Sequence, residues 1–329
     1  MHSSCVGLCS PSESIQGSVF AFVKMLGLCQ CKAVLTMVIF DQIKRLLALL
    51  AEAAAVWKAI AFFLVWLVLW LPVAIPLAKF LKWQPPKPLA VEQKLPLLAS
   101  LYLIAPLIVW GASLVEGVPF SDYGLDWKAS VLVSLGQGLG LAVLSLVVVF
   151  GIEKALGWIN WHWEEDPSSP EAEIQSPKIG SVVGSILLPT LLIGLLVSGI
   201  EELIFRGFLL TSLQQDYSVW VAAVISSLIF ALLHLVWEQQ ETLPQLPGLW
   251  LMGMVLVLAR ACDGGSLGLP WGLHAGWIWV IASLDTVGLI TYTGKVPAWI
   301  TGLGEKPLAG GMGILCVLGT GGLLWVLFN

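Results

Sequence analysis

Long apolar runs separated by short polar segments make up most of the chain after residue 58. About twenty consecutive apolar residues are enough for one helix to cross a bilayer. Since backbone groups in lipid must be hydrogen-bonded within the protein, such runs are expected to be helical. The pattern therefore predicts an all-α protein with about eight membrane-spanning helices, near 59–78, 96–115, 129–151, 181–208, 218–237, 246–262, 267–284 and 308–328.

The segments outside these runs divide the chain into three parts. Residues 1–36 show neither a signal-peptide nor a transit-peptide pattern, and we expect them to be poorly ordered or to precede a true start near Met37. Residues 37–58 combine apolar and basic positions, as in a helix that lies along the membrane interface. Residues 59–329 form the predicted polytopic membrane domain, whose longest polar loop, 152–180, is expected to be a solvated connector.

The composition supports a membrane protein and excludes several functions. Hydrophobic residues make up 58% of the chain and charged residues only 11%, whereas soluble proteins have about 25% charged residues. The net charge of −5 leaves no basic surface, so nucleic acid is not expected as a partner. Basic residues flank the first predicted span on both sides, which leaves the membrane orientation open. The sequence also leaves the oligomeric state open.

Polar residues and cysteines outside the centres of the apolar runs are not expected to form a functional site. Arg260 and Asp263 lie at a predicted helix end and are interpreted as interfacial. The N-terminal cysteines have no histidine or acidic cluster at zinc-like spacing, which favours free thiols over a metal site. These cysteines are Cys5, Cys9, Cys29 and Cys31.

A small group of ionisable residues lies inside the predicted spans: Glu201, Glu202, Arg206, His234 and His274. A charged side chain near the bilayer centre costs about 2.5–3.5 kcal/mol on insertion scales, so such a group indicates a functional site. Glu202 and Arg206 are four residues apart, share a helix face and can pair. Glu201 is rotated by about 100° around the helix and lacks such a partner. A second group must come from another helix, and His234 and His274 are the candidates.

These residue types favour one kind of chemistry. A buried carboxylate beside an imidazole can hold a water molecule and take its proton, which suits Glu201 and His234. His274, which lies among small residues that let helices approach closely, is a candidate donor to the oxyanion formed when water attacks a carbonyl. The combination predicts a hydrolase without a serine or cysteine nucleophile. Two structural alternatives stay open: a purely structural Glu202–Arg206 pair, and histidines that only bridge helices.

The ordered motifs "EELIFR", "FALLH" and "HAGW" resemble the CPBP intramembrane metalloprotease family, also called the CAAX-prenyl-protease-2-like or Abi family. The family pattern is E-E-x-x-x-R, then F-x-x-x-H, then H-x-x-x-[N/D], and the resemblance covers about residues 180–285. Any one motif is weak, whereas three in order at helical spacing are fairly specific. The matching residues are Glu201, Glu202, Arg206, Phe230, His234 and His274.

The resemblance implies a fold in which tilted helices enclose an intramembrane polar cavity. It implies that Glu201 and His234 activate water, with Glu202 as a further member of the catalytic group. It also implies that His274 helps to bind the oxyanion and that Arg206 holds the glutamate pair in place.

Two further positions shape the expected site. Phe230, four residues before His234, would stack over the same helix face and is interpreted as packing. The family often has Asn or Asp four residues after the last histidine, and here that position is Ile278. Either the indole N–H of Trp277 or Trp279 replaces the missing donor, or the oxyanion site is weaker.

The same reasoning sets expectations for cofactors and partners. A Glu/His pair without a third close ligand binds zinc poorly, so we expect a glutamate-based mechanism with no cofactor. If a divalent metal is bound, its expected ligands are Glu201, His234 and His274. The expected partners are the lipid bilayer and a membrane-protein or lipidated peptide substrate. The many tryptophans and the string "GLHAGWIW" resemble bacterial and plastid members, which suggests a bacterial inner or plasma membrane or a photosynthetic membrane.

Three functions therefore compete. The favoured hypothesis is an intramembrane endopeptidase. A non-catalytic membrane scaffold or bacteriocin-immunity factor is the second, because Ile278 departs from the family pattern. A proton-coupled transporter is the third, since buried Glu and His residues relay protons in such proteins. The absence of an internal repeat and the grouping of the ionisable residues, with no polar contribution expected from the first three helices, favour the enzyme.

Overall fold

The computed structural model describes residues 36–84, 89–126, 128–161, 183–236 and 239–328. Its two compact units are Met1–Ala53 and Ala54–Asn329. In the first unit, the described residues 36–51 form helix α1, whose side chains are largely exposed. The predictions for residues 1–35, and for the connector beyond residue 161, lie outside the described part of the chain.

Eight longer helices in the second unit follow the eight apolar runs of the sequence. Two of them end at glycines in the left-handed conformation, Gly117 (φ 66°) and Gly288 (φ 62°), where a residue with a Cβ would be strained. The helices are α2 Ala55–Phe80, α3 Val91–Glu116, α4 Ala129–Ala155, α5 Gly184–Leu213, α6 Val219–Leu233, α7 Leu246–Cys262, α8 Gly268–Val287 and α9 Gly311–Phe328. Short helical turns connect them at Phe120–Tyr123, His234–Val236, Gln239–Thr242, Leu243–Gln245, Ala298–Thr301, Leu303–Glu305 and Pro307–Ala309.

The helical membrane architecture predicted from the sequence is confirmed. Within the described ranges, 6 helical stretches are long and apolar enough to cross a membrane. They are Ala55–Phe80, Glu92–Glu116, Ala129–Ala155, Gly184–Leu213, Val219–Val236 and Gln239–Cys262. Helices α8 and α9 occupy the positions predicted for the seventh and eighth spans, but α9 is short and α8 carries several polar and small residues.

The fold also contains a short two-stranded sheet that the apolar runs of the sequence do not predict. Strand β1, Ile159–Trp161, pairs antiparallel with strand β2, Ile290–Tyr292, and Asn160 lies opposite Thr291. The pair joins the segment after α4 to the segment after α8. It therefore fastens together the same ends of the two helices that pack most closely.

Helices α4 and α8 approach each other along a row of glycines. Gly268, Gly272 and Gly276 repeat every four residues on one face of α8, and Gly138 lies opposite on α4. A Cβ at Gly272 would lie 2.0 Å from the carbonyl oxygen of Leu135, and one at Gly138 would lie 2.3 Å from a carbonyl oxygen of α8. Small residues of this kind allow close contact between membrane helices. The prediction of a crowded position for the helix that carries His274 is thus supported by its packing.

Arg260 and Asp263 lie at the end of α7, as the sequence predicts, and the Arg260 side chain is buried within the protein. Its side chain is only 8% exposed. It donates hydrogen bonds to the carbonyl oxygens of Gly265 (3.0 Å), Asp122 (3.1 Å) and Arg206, and to Thr211 Oγ1 (3.1 Å). A buried guanidinium with five N–H donors is suited to join several chain segments in this way.

Asp263 fixes the start of α8. Its Oδ1 accepts a hydrogen bond from Ser134 Oγ of α4 at 2.7 Å, and its Oδ2 accepts one from the backbone N–H of Leu269 at 3.0 Å. The second bond satisfies an N-terminal amide of α8 that has no partner within the helix. The position of α8 is therefore set by polar contacts at its start and by glycine packing along its length.

Replacing Gly272 by alanine tests this packing. The added Cβ meets backbone atoms of α4, so the helices must separate, and we expect a loss of about 1–3 kcal/mol of unfolding free energy. Unfolding in mixed detergent micelles, followed by tryptophan fluorescence, measures the change. The matched control is Gly140→Ala on α4, where a Cβ has nothing within 4 Å. Equal stability of the two variants would contradict a close α4–α8 contact at Gly272.

Candidate active site

The two glutamates and the arginine lie where α5 changes its winding. Regular α-helix runs over Leu188–Glu202, and a wider π-helical segment follows over Leu203–Leu209. Glu201 and Glu202 are the last residues of the regular part, and Arg206 lies inside the π-helical segment. Such segments inside α-helices are frequent at functional sites because they redirect side chains.

Glu202 and Arg206 form the predicted pair. Arg206 Nη1 donates to Glu202 Oε1 at 3.0 Å, and both side chains are fully buried. The guanidinium carbon of Arg206 lies 4.3 Å from the ring centroid of Phe230, a cation–π contact. Phe230 therefore does more than pack beside His234, because its ring also faces the buried charge.

His274 lies between the two glutamates. Its Nδ1 is 2.8 Å from Glu202 Oε1, and its Nε2 is 3.5 Å from Glu201 Oε2. An ionised carboxylate only accepts hydrogen bonds, so the Nδ1 proton is donated to Glu202. Only 2% of the surface of His274 is exposed. The imidazole thus links two adjacent carboxylates of α5 to α8.

Glu201 has a second partner that the sequence did not indicate. The hydroxyl of Tyr102, on α3, donates a hydrogen bond to Glu201 Oε1. The expectation that the first three predicted helices contribute no polar residue to the site is therefore wrong. A lone tyrosine in an apolar run carries no spacing signal, so its role becomes visible only when α3 is packed against α5.

His234 lies at the end of α6 with one ring nitrogen fixed. Its Nδ1 is 2.8 Å from the carbonyl oxygen of Phe230. Since a carbonyl can only accept, Nδ1 carries the proton, and in the neutral ring Nε2 keeps its lone pair. In the described part of the chain, Nε2 has no hydrogen-bond partner. It is therefore available to a water molecule or a substrate.

A cavity of about 290 Å³ joins Glu201 and His234. Its wall is mainly apolar and comes from α2, α3, α5 and α6 together with the turns that follow α6. Tyr102 lines it beside Glu201, and Lys94 lines it from an earlier turn of α3. His274, Glu202 and Arg206 are not part of the wall. The site thus has two layers. The accessible layer, which lines the cavity, is Glu201, His234 and Tyr102. The buried layer, which lies outside the cavity wall and contacts Glu201 through His274, is Glu202, Arg206 and His274.

The donor set does not match a three-ligand zinc centre. The described residues contain no group of three or more His, Cys, Asp or Glu side chains placed to share a metal ion. Nδ1 of His234 is bonded to a carbonyl, and both ring nitrogens of His274 face carboxylates. A zinc site needs at least three protein ligands that converge on one point. The alternative ligand set Glu201, His234 and His274 is not assembled in this arrangement.

The position of Ile278 gives no replacement for the family's Asn or Asp. The indole N–H of Trp277 donates to Ser145 Oγ at 3.2 Å, and that of Trp279 donates to the carbonyl oxygen of Leu187 at 2.9 Å. Both indoles therefore point to structural partners. These contacts argue against the first of the two alternatives, replacement of the missing donor by an indole N–H.

Comparisons with known proteins cover the same part of the chain. Residues 183–280 match a family described as type II CAAX prenyl endopeptidase Rce1-like. An uncharacterized 24.3 kDa protein of Escherichia coli is 35% identical over 94 residues, which is 28% of this chain and 42% of that protein. The chain thus matches less than half of the length of that relative. No solved structure matches the chain significantly. The family match confirms the resemblance over residues 183–280.

Replacing Arg206 by methionine tests the buried layer. The change leaves the charge of Glu202 without its guanidinium partner in the apolar interior, so we expect a loss of about 3–5 kcal/mol of unfolding free energy. The double variant Arg206→Met with Glu202→Gln should recover part of that loss, because the unpaired charge is gone. Unfolding in mixed detergent micelles gives both values.

The control for this prediction is Lys128→Met. Lys128 pairs with Asp126 at 2.6 Å, but the lysine side chain is 70% exposed, so the expected loss is at most about 1 kcal/mol. Losses of the same size for Arg206→Met and Lys128→Met would show that the Glu202–Arg206 pair does not carry the buried charge.

Proposed function

We propose that the protein is an intramembrane endopeptidase in which Glu201 and His234 activate water at the cavity between α3, α5 and α6. The observation that carries this proposal is the pairing of a carboxylate and an imidazole lone pair on one cavity wall inside an apolar helix bundle. Such a pair can hold a water molecule from two sides and accept its proton. The family match supports a peptidase but does not assign these roles.

The reaction begins with a water molecule between Glu201 and Nε2 of His234. Glu201 takes one proton as the water oxygen attacks the peptide carbonyl carbon, and the carbonyl electron pair moves to its oxygen. The C–N bond then breaks, and the proton on Glu201 passes to the leaving amine. Low polarity around the cavity strengthens each of these electrostatic interactions, since little bulk water screens them.

The buried layer positions Glu201 in this proposal. Glu202, Arg206 and His274 do not line the cavity, so they act through Glu201 rather than on the substrate. His274 faces Glu201 Oε2 and restricts the rotation of its carboxylate. Its other nitrogen is held by Glu202, which is held by Arg206. We therefore place His274 as a positioning residue, and not as the oxyanion donor implied by the resemblance.

The substrate proposed here is a membrane-associated peptide or a lipidated, prenylated-type peptide. The cavity wall is mostly apolar, and it includes Trp66, Leu98, Leu101, Val197, Ile204, Phe205 and Leu233. An apolar side chain or lipid group is favoured there because its transfer from water is favourable. Lys94 lies on the same wall, toward the start of α3.

Cleavage of fluorogenic peptides by the purified protein tests this function. Peptides with and without a C-terminal prenylcysteine motif are offered in detergent micelles, with and without a chelator. We expect Glu201→Gln and His234→Ala each to lower kcat/KM by about 10²–10⁴-fold, the usual contribution of general acid–base catalysis. The chelator should leave the wild-type rate unchanged.

The matched control is Glu241→Gln. Glu241 has an exposed carboxylate that pairs with Lys306 Nζ at 3.3 Å, and it does not line the cavity. It should keep the wild-type rate. Loss of activity with the chelator would replace the glutamate-based mechanism by a metal-dependent one. If the wild type cleaves no peptide and the Glu201 and His234 variants still perform the protein's role in cells, the scaffold interpretation is favoured.

A further inference from the structure

The accessible layer of the site includes one residue outside the segment matched by the family. Tyr102 lies in the middle of α3, whereas the family match begins at residue 183. Its hydroxyl donates to Glu201 Oε1, and its side chain lines the same cavity as Glu201 and His234. A phenol has one O–H to donate and Glu201 as a carboxylate has none, so the direction of this bond is fixed.

Hydrolysis of a peptide bond needs a donor for the oxyanion of the tetrahedral intermediate. A pre-placed donor of this kind contributes about 10²–10³ in kcat in a well-studied protease. The usual candidates are absent from this position, because the family's Asn or Asp is replaced by Ile278 and both nearby indoles donate to other groups. His274 faces the two carboxylates. The donor must therefore come from the cavity wall.

Most donors on the cavity wall are bound to backbone carbonyls. The indole of Trp66 donates to the carbonyl oxygen of Leu101 at 2.9 Å, and Thr242 Oγ1 donates to that of His234 at 3.4 Å. Nδ1 of His234 is bound in the same way to Phe230. A carbonyl keeps its acceptor strength throughout the reaction, so these donors stay where they are. Lys94 lies eight residues before Tyr102, about 12 Å away along the axis of α3.

Tyr102 differs from these donors because its acceptor is the group that changes charge. When Glu201 takes the proton of water, its carboxylate becomes a neutral acid and a weaker acceptor. At the same moment a full negative charge develops on the former carbonyl oxygen beside it. The tyrosine O–H then has a stronger acceptor within the same cavity.

We propose that Tyr102 is a catalytic residue that donates its O–H to Glu201 in the resting enzyme and to the oxyanion in the tetrahedral intermediate. The inference rests on the proposed peptidase function. No proton leaves Tyr102 in this scheme: the water proton goes to Glu201, the C–O bond forms, and the carbonyl electron pair moves to oxygen. On collapse, the C–N bond breaks, Glu201 returns its proton to the amine, and the tyrosine O–H returns to the carboxylate.

The variant Tyr102→Phe removes the O–H and little else. We expect kcat to fall by about 10²–10³-fold with little change in KM, because the lost interaction forms only in the transition state. A peptide phosphonamidate, whose tetrahedral anion resembles the intermediate, should lose a comparable factor in its inhibition constant. A fall in kcat with an unchanged inhibition constant would leave Tyr102 only a positioning role and overturn the proposal.

The matched control is Tyr123→Phe. Tyr123 is also buried, and its hydroxyl lies 3.5 Å from Glu116 Oε2, but it does not line the cavity. It should keep the wild-type kcat and inhibition constant. If Tyr102→Phe does not fold, fluorotyrosine placed at position 102 keeps both shape and hydroxyl and should retain activity. A folded fluorotyrosine protein with activity as low as that of Glu201→Gln would contradict the proposal.

The same assay distinguishes failure of the oxyanion role of Tyr102 from failure of the proposed peptidase function. Full activity of Tyr102→Phe together with an inactive Glu201→Gln overturns the role of Tyr102 and leaves the peptidase proposal intact. Full activity of Glu201→Gln overturns the proposed function, and the oxyanion role of Tyr102 falls with it.

Discussion

Two adjacent carboxylates inside an apolar helix bundle are the constraint on which the site depends. An isolated buried charge is so unfavourable that it must be paired or neutralised. Glu202 is paired with Arg206, and His274 lies against both glutamates. Arg206 comes from the same helix as the glutamates, whereas His274 comes from α8, so pairing both carboxylates requires contact between two helices. This requirement determines which helices must meet.

Small residues along α8 allow the helices to meet this requirement. For His274 to reach α5, helix α8 must lie deep in the bundle, between α4 and α5. On one side, Gly268, Gly272 and Gly276 let its backbone touch α4. On the other, a Cβ at Gly194 of α5 would lie 3.2 Å from a carbonyl oxygen of α8. Van der Waals packing, the main force between helices in lipid, thereby positions the charged groups.

The sequence predicted the parts of the structure that depend on local spacing. The helices follow from the length of the apolar runs, and the Glu202–Arg206 pair follows from a spacing of four residues. The site of Tyr102 did not follow, because a tyrosine in an apolar run resembles any other buried aromatic residue until α3 meets α5. The β1–β2 pair joins segments far apart in the chain, and three-residue strands carry almost no periodic signal. The burial of Arg260 did not follow either, because a position at a helix end does not reveal the carbonyl groups around it.

The two glutamates differ in their access to the cavity, and this difference argues against a purely structural cluster. Glu202 accepts hydrogen bonds from Arg206 and His274 and is sealed from the cavity, as expected of a structural pair. Glu201 belongs to the same helix turn, yet it lines a cavity together with an imidazole nitrogen that has no partner in the described chain. A purely structural role does not require the Glu201 carboxylate and the Nε2 lone pair of His234 to face the same cavity. Water or substrate in that space gives the imidazole nitrogen a partner and can also donate to Glu201, so the arrangement fits a cavity that is filled during a reaction.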